Sequence, residues 1–251
     1  MLTVRVIPCL DCRDGRVVKG VKFSALRDSG NPTDLASEYE RQGADELVVL
    51  DIAATPRGVD NRLDTVAGVR KALSVPLTVG GGVRGIDDAA ALLGAGADKV
   101  AVNTAAVRKP TLVSELSSRF GSQATVLAID AAALSGTSWQ VVVQSGAIRC
   151  DLDVAAWAAE GVDRGAGEIL LTSWDRDGTR AGYDLELIET VADAVSVPII
   201  ASGGAHTPSD LAAAVEAGAS AVLAASIFHD GDYTVAEVKS HLAEQGIEVR
   251  T

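Results

Sequence analysis

Two aspartates close apolar runs of the same kind. Asp11 ends VIPCLD, and Asp130 ends VLAID 119 positions later. Two carboxylates that face each other across a cavity can divide general acid and general base work, provided their surroundings push their proton affinities apart. The alternative is that each carboxylate caps the loop or helix behind it, and both readings stay open at this level. Asp11 also lies between Cys9 and Cys12 in a C-x-x-C. Residues three apart on an extended strand point to opposite faces, so these thiols do not converge. Cys9 is expected inside a core, and Cys12 in the loop just past the strand end. With three cysteines in all and no second Cys pair, neither a metal site nor a redox pair is expected.

Two glycine turns point to bound anions. TVGGGVRGIDDA runs from a strand into Gly81-Gly82 and then into a helix, and IIASGGAHTPSDLA does the same around Gly203-Gly204. Glycine lets backbone approach a ligand closely, and a helix start presents free N–H groups. Beside them lie AVNTAAV, with Asn103 and Thr104, and LAASIF, with Ser226. Each half of the chain can thus build one phosphate site, which suits a substrate carrying a phosphate at each end; the alternative is that the glycines only satisfy positive φ. In DRDGT (175–179), Asp177-Gly178 signals a tight turn. Asp175 and Asp177 are candidates for ligand hydroxyls and Thr179 for a phosphate, against a plain turn. The stretch 14–31 carries Arg13, Arg16, Lys19, Lys22 and Arg27 and reads as a mobile basic loop over an anionic ligand, or simply as a solvated one.

These residues need a frame. Eight apolar runs, VRVIPCL, ELVVLDI, PLTVGG, KVAVN, TVLAID, EILLTS, PIIASGG and AVLAAS, alternate with helix-patterned stretches. That alternation predicts a parallel α/β sheet, and at 251 residues a single closed (β/α)8 TIM barrel over 1–251. GADELVVL (43–50) matches GAGEILLT (165–172), the Gly-Gly pair at 81–82 matches that at 203–204, and AGAD (95–98) matches AGAS (217–220), all at an offset of 122. The barrel is therefore expected to consist of two half-barrels, roughly 1–121 and 122–251. Its working face is then the C-terminal end of the strands, where Asp11 and Asp130 fall on opposite sides.

The other end carries a second signal. Stepping back by two from Asp11 gives Cys9, Ile7 and Arg5, and the same alternation puts Glu46, Lys99 and Glu168 at strand starts. Two cations and two anions at one level can form a ring, since buried charges are costly unless paired; four ordinary surface charges are the alternative.

Composition narrows the function class. The net charge is −12 with a pI of about 4.6, which disfavours binding to a nucleic-acid backbone. No stretch reaches the roughly 18 apolar residues of a membrane span, and the start MLTVRVIPCLD reads as a strand and not as a leader. The odd cysteine count suits a reducing compartment, hence the cytoplasm. His206, His229 and His241 lack metal-ligand spacing, and neither G-x-S-x-G nor a strand-helix G-x-G-x-x-G is present.

Together, IPCLD-x-x-DGRVVKG, GADELVVLDI, PLTVGGGVR, GADKV-x-VNTAAV, RFGSQ, GAGEILLTS-x-DRDGT-x-GYDLE, PIIASGG and LAASIFH resemble the cyclase subunits of imidazole glycerol phosphate synthase, a family of histidine biosynthesis. The likeness covers nearly the whole chain. It implies an ammonia-dependent lyase. Ammonia and a bis-phosphorylated ribulosyl formimino aminoimidazole carboxamide ribotide give imidazole glycerol phosphate and aminoimidazole carboxamide ribotide. The resemblance implies catalytic roles for Asp11 and Asp130. It implies substrate or phosphate contacts for Lys19, Gly82, Asn103, Thr104, Asp177, Gly178, Gly204 and Ser226. It also implies that Arg5, Glu46, Lys99 and Glu168 form the ring through which ammonia enters from a docked glutaminase subunit. No metal or organic cofactor, nucleic acid or membrane is implied.

Departures from the family pattern are Cys12 for an aliphatic residue, Ala132 where a Lys or Arg is common, IRCDLD (148–153) for a Thr-Gly-type segment, His206 for a small residue and Asp230 for an aromatic. The rival readings are the sister isomerase of the same pathway, which has no use for the charged ring, and a barrel that only binds its partner or a phosphorylated ligand.

Overall fold

The computed structural model describes residues 3–21, 24–52, 63–134 and 137–250, and of residues 21 and 24–26 the backbone alone. In chain order the described elements are β1 (Arg5–Arg13), β2 (Arg16–Val21), β3 (Ser24–Gly30), α1 (Pro32–Arg41), β4 (Leu47–Asp51), α2 (Leu63–Ala72), β5 (Leu77–Gly80), α3 (Ile86–Gly94), β6 (Lys99–Val102), α4 (Thr104–Arg108) and α5 (Thr111–Phe120). There follow β7 (Thr125–Ala133), β8 (Trp139–Val143), β9 (Ile148–Asp153), α6 (Val154–Asp163), β10 (Glu168–Ser173), α7 (Leu185–Ala194), β11 (Ile199–Ser202), α8 (Pro208–Glu216), β12 (Ala221–Ala224), α9 (Ser226–His229) and α10 (Val235–Glu244).

Eight strands pair in parallel in the order β1, β4, β5, β6, β7, β10, β11, β12, and β12 pairs back onto β1. The sheet closes on itself, and the expected eight apolar runs are its staves. Helices between them complete a (β/α)8 barrel. Helix starts follow local chemistry: the Asn31 side chain accepts from Thr33 N–H at 2.8 Å with Pro32 behind it, and Asp153 accepts from Ala156 N–H at 2.9 Å. Among the described residues, no helix is long and apolar enough to cross a membrane.

Strand parity divides the core in two. On β1, Val6, Leu10 and Cys12 face outward into the layer between barrel and helices, while Ile7 and Cys9 face inward. On β7, Leu127, Ile129 and Ala131 face outward and Val126 inward. Both faces of the staves are therefore buried, which is why they read as continuous apolar runs.

Two expectations about the segments after β1 and β7 are corrected. Cys12 is not a loop residue: it lies within β1, pairs with Val17 and Asp51, and is 4% exposed. The described residues of 14–31 are not an irregular loop but the antiparallel ribbon β2–β3 laid on β1, and Arg16 in it is paired with Asp28 at 2.9 Å. Lys22 lies outside the described residues. IRCDLD forms β9, the outer strand of a second ribbon, β8–β9, laid on β7.

The half-to-half likeness breaks where packing differs. Asp45, buried, accepts from Val6 N–H at 2.9 Å and from Lys239 Nζ at 2.8 Å. At the related position 167, a Cβ would lie 2.2 Å from the Ser122 carbonyl oxygen. Replacing Gly167 by Asp is therefore expected to destabilise the fold by about 1–3 kcal/mol through overpacking, although Asp serves the first half. A lower urea midpoint at unchanged slope measures it; an unchanged midpoint contradicts the packing argument.

Candidate active site

At the C-terminal end of the staves a cavity of about 150 Å³ opens, against about 10 Å³ for the next one described. Only the first has room for more than a water molecule. Asp11, Lys19, Gly82, Asn103, Thr104, Asp130, Asp177, Gly178, Gly204 and Ser226 all line it. These ten residues, expected at catalytic or substrate contacts, thus meet in one place. Arg5, Glu46, Lys99 and Glu168 meet at the opposite end of the barrel.

The two candidate carboxylates have unlike surroundings. Asp11 is buried, 5% exposed, with its two oxygens on different partners. Lys19 Nζ, reaching in from β2, is 3.2 Å from Oδ2 and 3.8 Å from Asp177, and Cys9 Sγ donates to Oδ1 at 3.5 Å. Burial works against the Lys19 charge, but Asp11 and Asp177 outweigh it and hold the ammonium above its ordinary value. Lys19 is thus a buried ion-pair member and not part of a free basic loop. Asp130, deep in the mouth, has no cation paired with it among the described residues. Burial and the nearby Asp177 carboxylate push it up to about 7, against a hydrogen bond from Asn103 Nδ2 at 3.0 Å that favours the charged form. Burial, with Asp11 and Asp51 nearby, pushes the Cys12 thiol up to about 12, and burial holds Cys9 well above its ordinary value, so neither supplies a thiolate.

The glycine turns are tight for a reason of space. At Gly204, with φ +98°, a Cβ would lie 2.1 Å from the Gly182 carbonyl oxygen; at Gly81, with φ +89°, one would lie 2.1 Å from the Asp51 carbonyl oxygen. The helices behind these turns carry a carboxylate of their own at the start. Asp88 accepts from Arg84 N–H at 2.7 Å and Asp210 accepts from Thr207 N–H at 2.7 Å, so each long helix start already holds its own carboxylate. What remains for an anion is the glycine backbone, with Asn103 and Thr104 on one side and Gly178 and Ser226 on the other.

Two further expectations fail. Asp175 accepts from Ala133 N–H at 2.7 Å, and Thr179 Oγ1 donates to the Arg176 carbonyl at 2.7 Å. Both shape the 174–182 loop, and neither lines the cavity. The residue that lines it is Arg180, missed because it lies just past DRDGT and carries φ +58°. Asp51, Ser145, Thr172 and Ser202 were missed too; a polar residue at a strand end was the available signal.

At the bottom, Arg5 Nη1 reaches Glu46 at 2.7 Å and Nη2 pairs with Glu168; Lys99 Nζ reaches Glu46 at 2.9 Å and Glu168 at 2.7 Å. Thr78 Oγ1 donates to Glu46 at 2.6 Å. Signs alternate around the ring. Burial opposes the Arg5 charge, but Glu168 and Glu46 hold it above its ordinary value. Between ring and cavity stands an apolar column that includes Ile7, Val48, Val126, Leu170 and Ile200.

The family model for histidine biosynthesis proteins matches residues 5–234 of the chain. The chain is 52% identical over 250 residues to imidazole glycerol phosphate synthase subunit HisF of Exiguobacterium sibiricum, and 53% identical over 252 residues to the subunit of the same name from Hyphomonas neptunium. In both cases the whole of each chain is covered.

Because the folded pKa of Asp130 lies above its ordinary 3.8, folding takes up a proton there. Its stabilising contribution is present below about pH 3.8 and is lost as pH rises through about 7. Carboxyl NMR should show Asp130 titrating near 7, and Asp177→Asn should move that titration down. Between pH 5 and 8 the native chain should lose stability relative to Asp130→Asn; a constant difference contradicts the assigned environment.

Proposed function

The chain belongs to the histidine biosynthesis protein family, and we propose that its unequal pair of carboxylates, Asp11 and Asp130, divides the proton transfers of its reaction. That reaction is the cyclase step: ammonia and the bis-phosphorylated ribulosyl formimino aminoimidazole carboxamide ribotide give imidazole glycerol phosphate and aminoimidazole carboxamide ribotide. Ammonia attacks a carbonyl, imine formation loses water, and ring closure with C–N cleavage requires further proton transfers. The carboxylate of Asp11, ion-paired to Lys19, accepts protons. The carboxyl of Asp130, pushed up to about 7, donates them. That single contrast across one cavity supports the assignment.

The rest of the mouth orients the substrate. One phosphate lies against Gly82, Asn103 and Thr104, the other against Gly178, Gly204 and Ser226, with Asp177 and Lys19 between them. Glycine backbone that no side chain can replace supports this placement. Asn103 contributes twice: its amide nitrogen holds Asp130, and its Oδ1, buried without a hydrogen-bond partner among the described residues, can accept from a substrate hydroxyl.

The relatives are named as subunits, and this chain likewise works in a complex. Its partner is a glutaminase docked at the charged ring. Neutral ammonia then passes Arg5, Glu46, Lys99 and Glu168 and ascends the apolar column to Asp11. The paired ring, which no group at the mouth requires, supports this route; the sister isomerase has no use for it. The chain acts as a single barrel domain of two half-barrels, 1–121 and 122–251, in the cytoplasm, where its three unpaired cysteines stay reduced.

Ammonia-dependent turnover of the bis-phosphate tests the assignment. Asp11→Asn and Asp130→Asn should each lower kcat by about 10²–10⁴-fold with smaller changes in KM. With rates normalised to the concentration of neutral ammonia, kcat should fall as pH rises through about 7, because the donating form of Asp130 is lost. Asp177→Asn should move that limb to lower pH. Full turnover by Asp11→Asn overturns the pair.

A further inference from the structure

The mouth of the barrel faces a charge problem. Among the described residues its lining carries four carboxylates, Asp11, Asp51, Asp130 and Asp177, against two side-chain cations, Lys19 and Arg180. Lys19 is committed to Asp11 and Asp177. A substrate bearing phosphates needs another cation within reach, and Arg180 is placed for it. Arg180 stands two residues past Gly178, and the loop that carries it is tied to the second glycine turn by Gly182 N–H donating to the Gly204 carbonyl at 2.9 Å. Its backbone sits in the left-handed region, φ +58°, a conformation that non-glycine residues hold chiefly where the surrounding structure demands it.

Its partners leave part of the guanidinium open. Nη2 reaches Asp230 at 2.5 Å and Asp232 at 2.9 Å. Nε and Nη1 have no hydrogen-bond or ion-pair partner among the described residues, and the side chain is one-third exposed. A guanidinium held through one nitrogen keeps a forked pair of donors for a phosphate. Asp230 also pairs with Arg27 of the β2–β3 ribbon, so it is fixed from two sides. We propose that Arg180 is a direct ligand of the phosphate bound at Gly178, Gly204 and Ser226, and that Asp230 and Asp232 are positioning residues that hold its guanidinium there. This rests on the reading of the substrate as a bis-phosphate. Among the described residues, the lining around Gly82, Asn103 and Thr104 includes no side-chain cation.

The test uses the full chain, with calorimetric titration of inorganic phosphate and ammonia-dependent kinetics. Arg180→Gln should weaken phosphate binding and raise KM for the bis-phosphate by about tenfold or more, a larger change than any fall in kcat. Arg180→Lys, which keeps the charge but not the fork, should recover part of both and serves where the Gln variant folds poorly. Asp230→Asn frees the guanidinium from one of its two holders while Asp232 remains, so it should weaken phosphate binding, but by less than Arg180→Gln does. Native phosphate affinity and KM in Arg180→Gln overturn the proposal. So does phosphate binding as weak in Asp230→Asn as in Arg180→Gln, which would reduce the cluster to a structural ion pair, and so does a native chain that binds no phosphate. If the native chain shows no ammonia-dependent turnover, the cyclase reading falls instead, and the phosphate titrations still decide the role of Arg180.

Discussion

A residue on a barrel stave has two directions open to it, inward or outward, and the rest of this structure depends on that restriction. Counting by two from Arg5 leads through Ile7 and Cys9 to Asp11, all on the inner face of β1. The same count links Lys99 to Asn103 and Glu168 to Thr172. The charged ring at the bottom and the polar mouth at the top are therefore the two ends of the same inward threads, separated by apolar side chains. A one-residue slip in any stave would exchange the inward set for the outward one. Strand parity thus builds a charged ring, an apolar column and a polar mouth out of one periodicity.

Charge is managed differently at the two ends. The ring is balanced, two cations on two carboxylates, each at hydrogen-bonding distance, as burial requires. The mouth is unbalanced, with four carboxylates against two cations among the described residues. Burial raises the proton affinity of Asp130 and the facing Asp177 carboxylate adds to it, with the Asn103 hydrogen bond offsetting only part, while Lys19 pairs with Asp11. One lysine, carried in on a ribbon beside β1, thus makes two aspartates unlike.

The halves of the chain show both the reach and the limit of internal repetition. Asp88 and Asp210, at the common offset, each accept a backbone N–H at the start of the helix behind a glycine turn. The first stave of each half carries an antiparallel ribbon. Asp45 and Gly167 part company because the Ser122 carbonyl occupies the space a side chain would need. Among the described residues, Arg180, held by Asp230, is a cation in the second half's lining with no counterpart beside Gly82, Asn103 and Thr104. A repeated scaffold with unequal decoration suits a substrate with two phosphates and two different ends.

The staves, their order and the facing of Asp11 and Asp130 were legible in the sequence, because period two, the glycine turns and the offset of 122 are local patterns that backbone geometry reads directly. The ring was legible for the same reason. What the sequence could not determine was which donors are already taken. Asp88 and Asp210 occupy the helix starts that seemed free for phosphate, Asp175 and Thr179 turn back onto their own loop, and Cys12 stays in its strand because β2 and β4 pair on either side of it. Lys19 and Arg180 gained their surroundings only when a ribbon, a loop and the segment at Asp230 came together from positions as far as 203 residues apart. Side-chain type and spacing are local, whereas hydrogen-bond partners and burial depend on contacts between distant segments, so the frame could be read from the chain and the electrostatics of the site had to be decided by the tertiary structure.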